Sequence, residues 1–170
     1  GYAPRSKQTP YEGGVRTPIM FSWPNGGLDP AKRPELVSSI DLFPTVLAAA
    51  GARIPNDVPG LNLLENLQKK RPIKRTGIFG ESLAHDIADI KKPEASLLFR
   101  WRIEGKWKLL LTYDGEVNRY QSTHPRTEKR PQLFDLSNDP HEKTNLAEKH
   151  PKVVADLAEK IAAWWPVKER

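Results

Sequence analysis

Residues able to carry a reaction are few in this chain, and they are dispersed. Cysteine is absent from all 170 positions, which excludes a thiolate nucleophile, thiolate metal sites and disulfides within it. The histidines are His85, His124, His141 and His150, and none stands at a metal-ligand spacing from another histidine or a carboxylate. His141 and His150 flank a turn and a helix start, and His124 lies in a Thr-His-Pro-Arg loop, so these three read as solvated loop residues. His85 differs. The run Glu81-Ser82-Leu83-Ala84-His85-Asp86 puts it directly after a strand end, where sheet enzymes place substrate contacts, and makes it a candidate pocket residue. The second candidate is Lys7. Pro4, Pro10, Pro18 and the adjacent Gly13-Gly14 impose a sharply turned loop around it. A lysine on such a loop presents a compact positive charge suited to an oxyanion, although composition alone makes it an ordinary surface lysine.

Several elements must position these residues. Ile19-Met20-Phe21-Ser22-Trp23, bounded by Pro18 and Pro24, has the length of a buried strand. A helix is expected after Asp41, which can cap it, with Pro44 tolerated in the first turn. Val46, Leu47 and Ala50 should form its buried face, and Gly51 its left-handed stop. Strand, loop and helix together make part of an α/β layer. Between Ile54 and Arg75 the Pro, Asn, Gly and basic content rises, which sets the expected domain boundary: residues 1–75, then 76–170.

Beyond that boundary the pattern changes. Thr76–Glu81 reads as a strand. Leu97, Phe99, Trp101 and Ile103, then Trp107, Leu109, Leu111 and Tyr113, alternate with more polar residues in two runs joined at Glu104-Gly105. That is the pattern of a β-hairpin with one buried and one wet face. Leu133–Leu136 is a further short strand. From His150 to Trp165, Val154, Leu157, Ile161 and Trp164 recur at helical spacing behind Pro151.

The chain is 38% hydrophobic and 28% charged, too apolar for a disordered segment. No apolar run reaches the roughly 18 residues of a membrane-spanning helix. The formal charge of +6 is spread along the sequence apart from Lys69, Lys70, Arg71, Lys74 and Arg75, which surround Pro72 and read as a solvated linker. No nucleic-acid-binding motif accompanies that cluster, so nucleic acid is not an expected partner. The first residue is Gly1 and the only methionine is Met20, so an upstream region is expected.

Five segments carry a resemblance. Lys7-Gln8-Thr9-Pro10-Tyr11-Glu12-Gly13-Gly14-Val15-Arg16-Thr17-Pro18 resembles the Lys-x-x-x-Tyr-Glu-Gly-Gly-x-Arg-x-Pro segment of the formylglycine-dependent sulfatases. Asp41-Leu42-Phe43-Pro44-Thr45 is similar to that family's Asp-x-x-Pro-Thr helix, and Pro59–Leu64 to a short Gly-x-x-Leu stretch. Gly105-Lys106-Trp107-Lys108-Leu109, and Leu133 to Glu142 with Asn145-Leu146-Ala147, are similar to its C-terminal hairpin and closing motif. The segments occur in the family's order across nearly the whole chain.

The resemblance implies an α/β remnant, the end of an alkaline-phosphatase-like domain, followed by an α+β domain with an antiparallel sheet and a C-terminal helix. It implies a sulfate-ester substrate, with Lys7 contacting the sulfate and Glu12 and Arg16 pairing with each other or with the core to hold the Lys7 loop. It also implies a calcium ion and a formylglycine made from Cys or Ser in a Cys/Ser-x-Pro-x-Arg motif. Neither that motif nor the family's Asp-Asn-Gly metal segment occurs here, so the chain alone is expected to be inactive. A periplasmic or secreted location is favoured by the resemblance. An interior strand at Ile19–Trp23 would leave a ladder edge open, so self-association through that edge is expected. Two other readings remain open. One is a non-catalytic module binding a partner or sulfated glycan through the Arg71 cluster and Trp101, Trp107, Trp164 and Trp165. The other is a phosphatase or phosphonate hydrolase of the same superfamily.

Overall fold

The computed structural model describes residues 5–7, 9–85, 87–113 and 128–167. Contacts divide the chain into two compact units, Gly1–Arg16 with Phe79–Arg170, and Thr17–Ile78.

In the first unit the hairpin sets the geometry. Strands β1 (Gly77–Leu83), β2 (Leu97–Glu104), β3 (Trp107–Thr112) and β4 (Gln132–Asp135) form one sheet in that order. The β2–β3 and β3–β4 pairs are antiparallel. The turn between β2 and β3 consists of Gly105 and Lys106, with Gly105 at φ +56°, so Glu104 lies opposite Trp107. A two-residue turn decides which side chains share a face. Trp101 faces Leu110, and Ile103 faces Lys108. The apolar set of β2 therefore shares its face with Lys108 and Leu110, the set expected to be wet. On the other face Arg100 and Arg102 join Leu109 and Leu111.

Both faces are covered, contrary to the one-wet-face expectation. Leu109 and Leu133 pack with Leu157 and Ile161 of the terminal helix α4 (Pro151–Trp164), whose spacing follows the sequence pattern. Arg100 lies under the end of that helix and donates to the carbonyls of Ile161, which also accepts the Trp165 amide, and of Trp165. Arg102 pairs with Glu104 at 2.5 Å and lies 4.3 Å from the Phe79 ring. On the opposite face Trp101, Ile103, Lys108, Leu110, Gln132 and Phe134 are all buried. Gly80 of β1 lies directly against the Trp101 indole; a Cβ there would come within 2.3 Å of the ring.

The second unit departs further from expectation. Residues 17–38 contain neither helix nor strand. Ile19–Trp23 is irregular, and Met20 is 87% exposed. A five-residue run between two prolines has no neighbouring strand in this unit to complete its ladder, so the expected sheet edge is not formed. Helices α1 (Glu12–Val15, in the first unit), α2 (Leu42–Ala49) and α3 (Leu64–Gln68) are short. In α2 the buried residues are Pro44 and Thr45, whereas Val46 and Ala50 are exposed, so its inward face is not the one predicted. Gly51, at φ +67°, does supply the left-handed stop.

Asp41 does more than begin a helix. Fully buried, its carboxylate accepts the Ser38 and Leu61 amides, each at 2.8 Å, and receives Arg75 at 2.6 and 2.9 Å. Thr45 continues the same clasp, its hydroxyl accepting the Leu63 amide at 2.9 Å. Arg75 was expected in a solvated linker, yet its side chain is only 10% exposed. Lys69, Lys70 and Arg71 do lie at the surface, paired with Glu65 and Asp29. Removing one partner of a buried pair strands the other charge, which costs about 3–5 kcal/mol. Arg75→Met is therefore expected to lower the stability of this unit by that order. Urea unfolding followed at the Trp23 fluorescence checks it, with Lys69→Met expected to change stability by less than about 0.5 kcal/mol.

Candidate functional site

The two site candidates both lie in the first unit. Lys7 is exposed on a turn closed by Thr9, whose amide and hydroxyl both donate to the Ser6 carbonyl at 3.0 and 2.6 Å. The turn rests on the backbone of α1. A Cβ on Gly13 would come within 2.5 Å of the Arg5 carbonyl oxygen, and one on Gly14 within 2.3 Å of that of Thr9. The glycine pair is thus required for close approach of two backbone segments, with no left-handed φ at either residue.

The next contacts hold α1 on the sheet. Tyr11 donates its hydroxyl to Gln132 Oε1 at 3.0 Å and meets Phe134 edge-on at 6.1 Å between ring centres. Glu12 Oε1 lies 3.0 Å from Lys108 Nζ, and Lys108 Nζ lies 2.9 Å from Glu142 Oε1. The Glu12 amide donates to Glu142 Oε2 at 2.5 Å. Lys108 is fully buried, Glu142 is 1% exposed, and the Glu12 side chain is 11% exposed. At the near end, Arg5 lies 4.4 Å over the Tyr11 ring and donates to the Glu142 backbone carbonyl. Arg5 and Glu142 are both left-handed, at φ 59° and 54°, a conformation that costs a non-glycine residue about 1–3 kcal/mol. Of the two pairings open to Glu12, the structure takes the core; Arg16 is exposed, and its amide closes α1 on the Glu12 carbonyl.

The segment from Asp135 to Ala147 builds the turn that aims Glu142 inward. Asp135 ends β4 and receives Lys106 at 2.7 Å and the Ser137 hydroxyl at 2.5 Å. Asp139 accepts the Thr144 amide, and Asn145 accepts the amides of Leu133 and Ala147. Lys108 and Glu142 carried no assigned role in the sequence reading, although both stand in the quoted segments. A correct two-residue turn would have put Lys108 on the buried face and demanded carboxylates for it.

His85 is exposed, two residues beyond the end of β1. The Ser96 carbonyl accepts the Ala84 amide on one side, and the Ser96 hydroxyl accepts the Ala88 amide on the other. His141 and His150 are exposed as expected, His150 lying 4.9 Å from the Trp107 ring; His124 lies outside the described residues. Of the tryptophans, Trp101 is core and Trp164 stacks on Phe79 at 4.9 Å. Among the described residues no three His, Cys, Asp or Glu side chains converge as metal ligands. The buried carboxylates of Asp41, Glu12 and Glu142 are committed to Arg75 or Lys108, so the residues present do not fit a calcium ion, which needs six to eight oxygens.

The sheet with its terminal helix is a fold shared with known proteins. Residues 5–165 match the family described as N-sulphoglucosamine sulphohydrolase, C-terminal, and the chain belongs to that sulfatase family. The N-acetylgalactosamine-6-O-sulfatase of Bacteroides thetaiotaomicron is 31% identical over 90% of this chain and 28% of its own length. Arylsulfatase A of Bos taurus is 33% identical over 91% of this chain and 31% of its own. Among solved structures, a Bacteroides thetaiotaomicron protein of glycosaminoglycan metabolism superposes with a TM-score of 0.58 at 26% identity, covering 81% of this chain and 27% of its own. The yidJ protein of Bacteroides fragilis shows the same fold at a TM-score of 0.63 and 21% identity, covering 84% and 28%. The chain thus spans under a third of the length of the curated relatives named here.

The Lys106 ammonium beside Asp135, then the Ser137 hydroxyl, hold the Asp135 carboxyl well below the usual carboxylate range. A depressed carboxyl stabilises the fold above its unfolded value of about 4, and that contribution is lost as pH falls through the folded-state value. Lys106→Met should therefore raise the Asp135 pKa and move acid unfolding of the sheet unit to higher pH. An acid titration of the tryptophan fluorescence, variant against parent, measures the shift.

Proposed function

We propose that this chain is the C-terminal part of a sulfate-ester hydrolase in which Lys7 binds the sulfate group and His85 lines the same pocket. The observation that supports this most is the Lys7 turn: an exposed lysine on a turn seated on glycine backbone and anchored to the core, in a chain of the sulfatase family. A fixed cation offers its charge to sulfate oxygens without reorganising as the S–O bond to the leaving group breaks. The nucleophilic formylglycine and the calcium ion belong, on this reading, to the part of the enzyme outside these residues; when bound there, calcium would polarise the sulfate and orient it. This chain's contribution is to bind and orient the sulfate. Because one relative is named an N-acetylgalactosamine-6-O-sulfatase, a sulfated amino sugar is the first substrate class to try beside an aryl sulfate.

The isolated chain is expected to turn over neither substrate. In the full-length enzyme Lys7→Ala is expected to lower kcat/KM by about 10²–10³-fold, the range for losing one oxyanion partner. Turnover by the isolated chain, or an unaffected Lys7→Ala enzyme, would defeat the reading, and preference for an aryl phosphate over the matching sulfate would favour the phosphatase alternative.

Self-association is proposed to run through β1, an outer strand of the sheet. Sedimentation velocity over a concentration series should show a rising mass; a strictly monomeric chain rejects this.

A further inference from the structure

Glu142 holds both ends of the Lys7 loop. Its carboxylate takes the Glu12 amide, its backbone carbonyl takes the Arg5 guanidinium, and Lys7 lies between those two residues. Lys108 completes the arrangement by meeting the carboxylates of both Glu12 and Glu142. From Glu12 the linkage continues through Gly13 and Gly14, whose bare backbones floor the turn formed by Arg5, Ser6 and Thr9.

We propose that Glu12, Lys108 and Glu142 form a positioning clamp for Lys7, so that the hairpin and the closing turn act on the reaction through the placement of this one cation. Stability alone is a poor account of the cluster. Burying an ammonium and two carboxylates carries a desolvation cost that well-packed apolar residues of similar volume would avoid. What the charges provide is selectivity: an apolar pocket would accept the loop in several registers, whereas Lys108 accepts it where Glu12 arrives. Two residues in a costly left-handed conformation, Arg5 and Glu142, meet at the same place, as expected where geometry is being enforced. The inference rests on Lys7 being the sulfate contact, and its test separates the two.

Cysteine is absent, so Lys7→Cys gives the chain a single site for a nitroxide label. Glu12→Gln leaves Lys108 paired with Glu142 and is expected to raise the mobility of that label while far-ultraviolet circular dichroism stays unchanged. An unchanged label spectrum overturns the clamp. In the full-length enzyme Glu12→Gln should lower kcat/KM for an aryl sulfate by about 10- to 100-fold, the scale for a misplacement near 1 Å. In a Lys7→Ala background the same change should cost less than about threefold, because a cation already removed cannot be misplaced. Equal factors in both backgrounds mean a merely structural role and overturn the proposal. Glu12→Asp, which keeps the charge on a shorter arm, should restore part of both readouts; if Glu12→Gln does not fold, this variant decides by the same two measurements. Should Lys7→Ala leave the rate unchanged, the sulfate-contact reading fails, while the label still judges the clamp.

Discussion

A lysine ammonium without solvent contact must be met by negative charge, and Lys108 imposes that condition on the whole sheet unit. Its charge is met by Glu12 and Glu142, which come from segments 130 residues apart in sequence. Tyr11, seated on Gln132 and Phe134, brings the first; the turn built by Asp139 and Asn145 brings the second. Leaving both out would strand the Lys108 charge at a cost of about 3–5 kcal/mol, a large fraction of a domain's net stability. Folding of the N-terminal segment, the hairpin and the closing turn is therefore mutually conditional.

The other face follows a different logic. There the apolar contacts of Leu109, Leu133, Leu157 and Ile161 supply the burial that drives helix docking. The charged residues only trim the edges: Arg100 answers the carbonyls at the end of α4, and Arg102 shares Glu104 with Lys160. One face is held by area and the other by matched charge. Area is non-directional, so it fixes that the helix docks; matched charge is directional, so it fixes where the loop docks.

Periodicity was sufficient to read the elements whose burial is simple. Strand β1, the hairpin, β4, α4 and the Gly51 stop are all visible in the sequence because apolar spacing or a glycine dictates each. What periodicity could not supply was the phase between β2 and β3. Placing the turn at Glu104-Gly105, one residue early, sends Lys108 to solvent and removes the reason for Glu142 to be buried. The Ile19–Trp23 strand failed for another reason: a strand needs a partner ladder, and a short apolar run says nothing of whether its partner lies in the same unit. Of the candidate site, pairing of Glu12 with the core was one of two alternatives that the resemblance left open, whereas its counterparts Lys108 and Glu142 were quoted without a role. Asp41 shows the same limit, since a helix-start aspartate and a buried hub for Ser38, Leu61 and Arg75 look identical in one dimension.

The motif residues divide by what they touch. Tyr11, Glu12, Gly13, Gly14, Asp41, Glu142 and Asn145 all face protein: a side chain, a buried ion or a backbone too close to admit a Cβ. Lys7 is an exposed residue on the turn that this frame carries. These anchors act together, because several contacts must hold at once and each depends on the others. On the proposed reading sulfate recognition needs a charge in the right place, and the buried Lys108, through Glu12 and Glu142, is what would set that place.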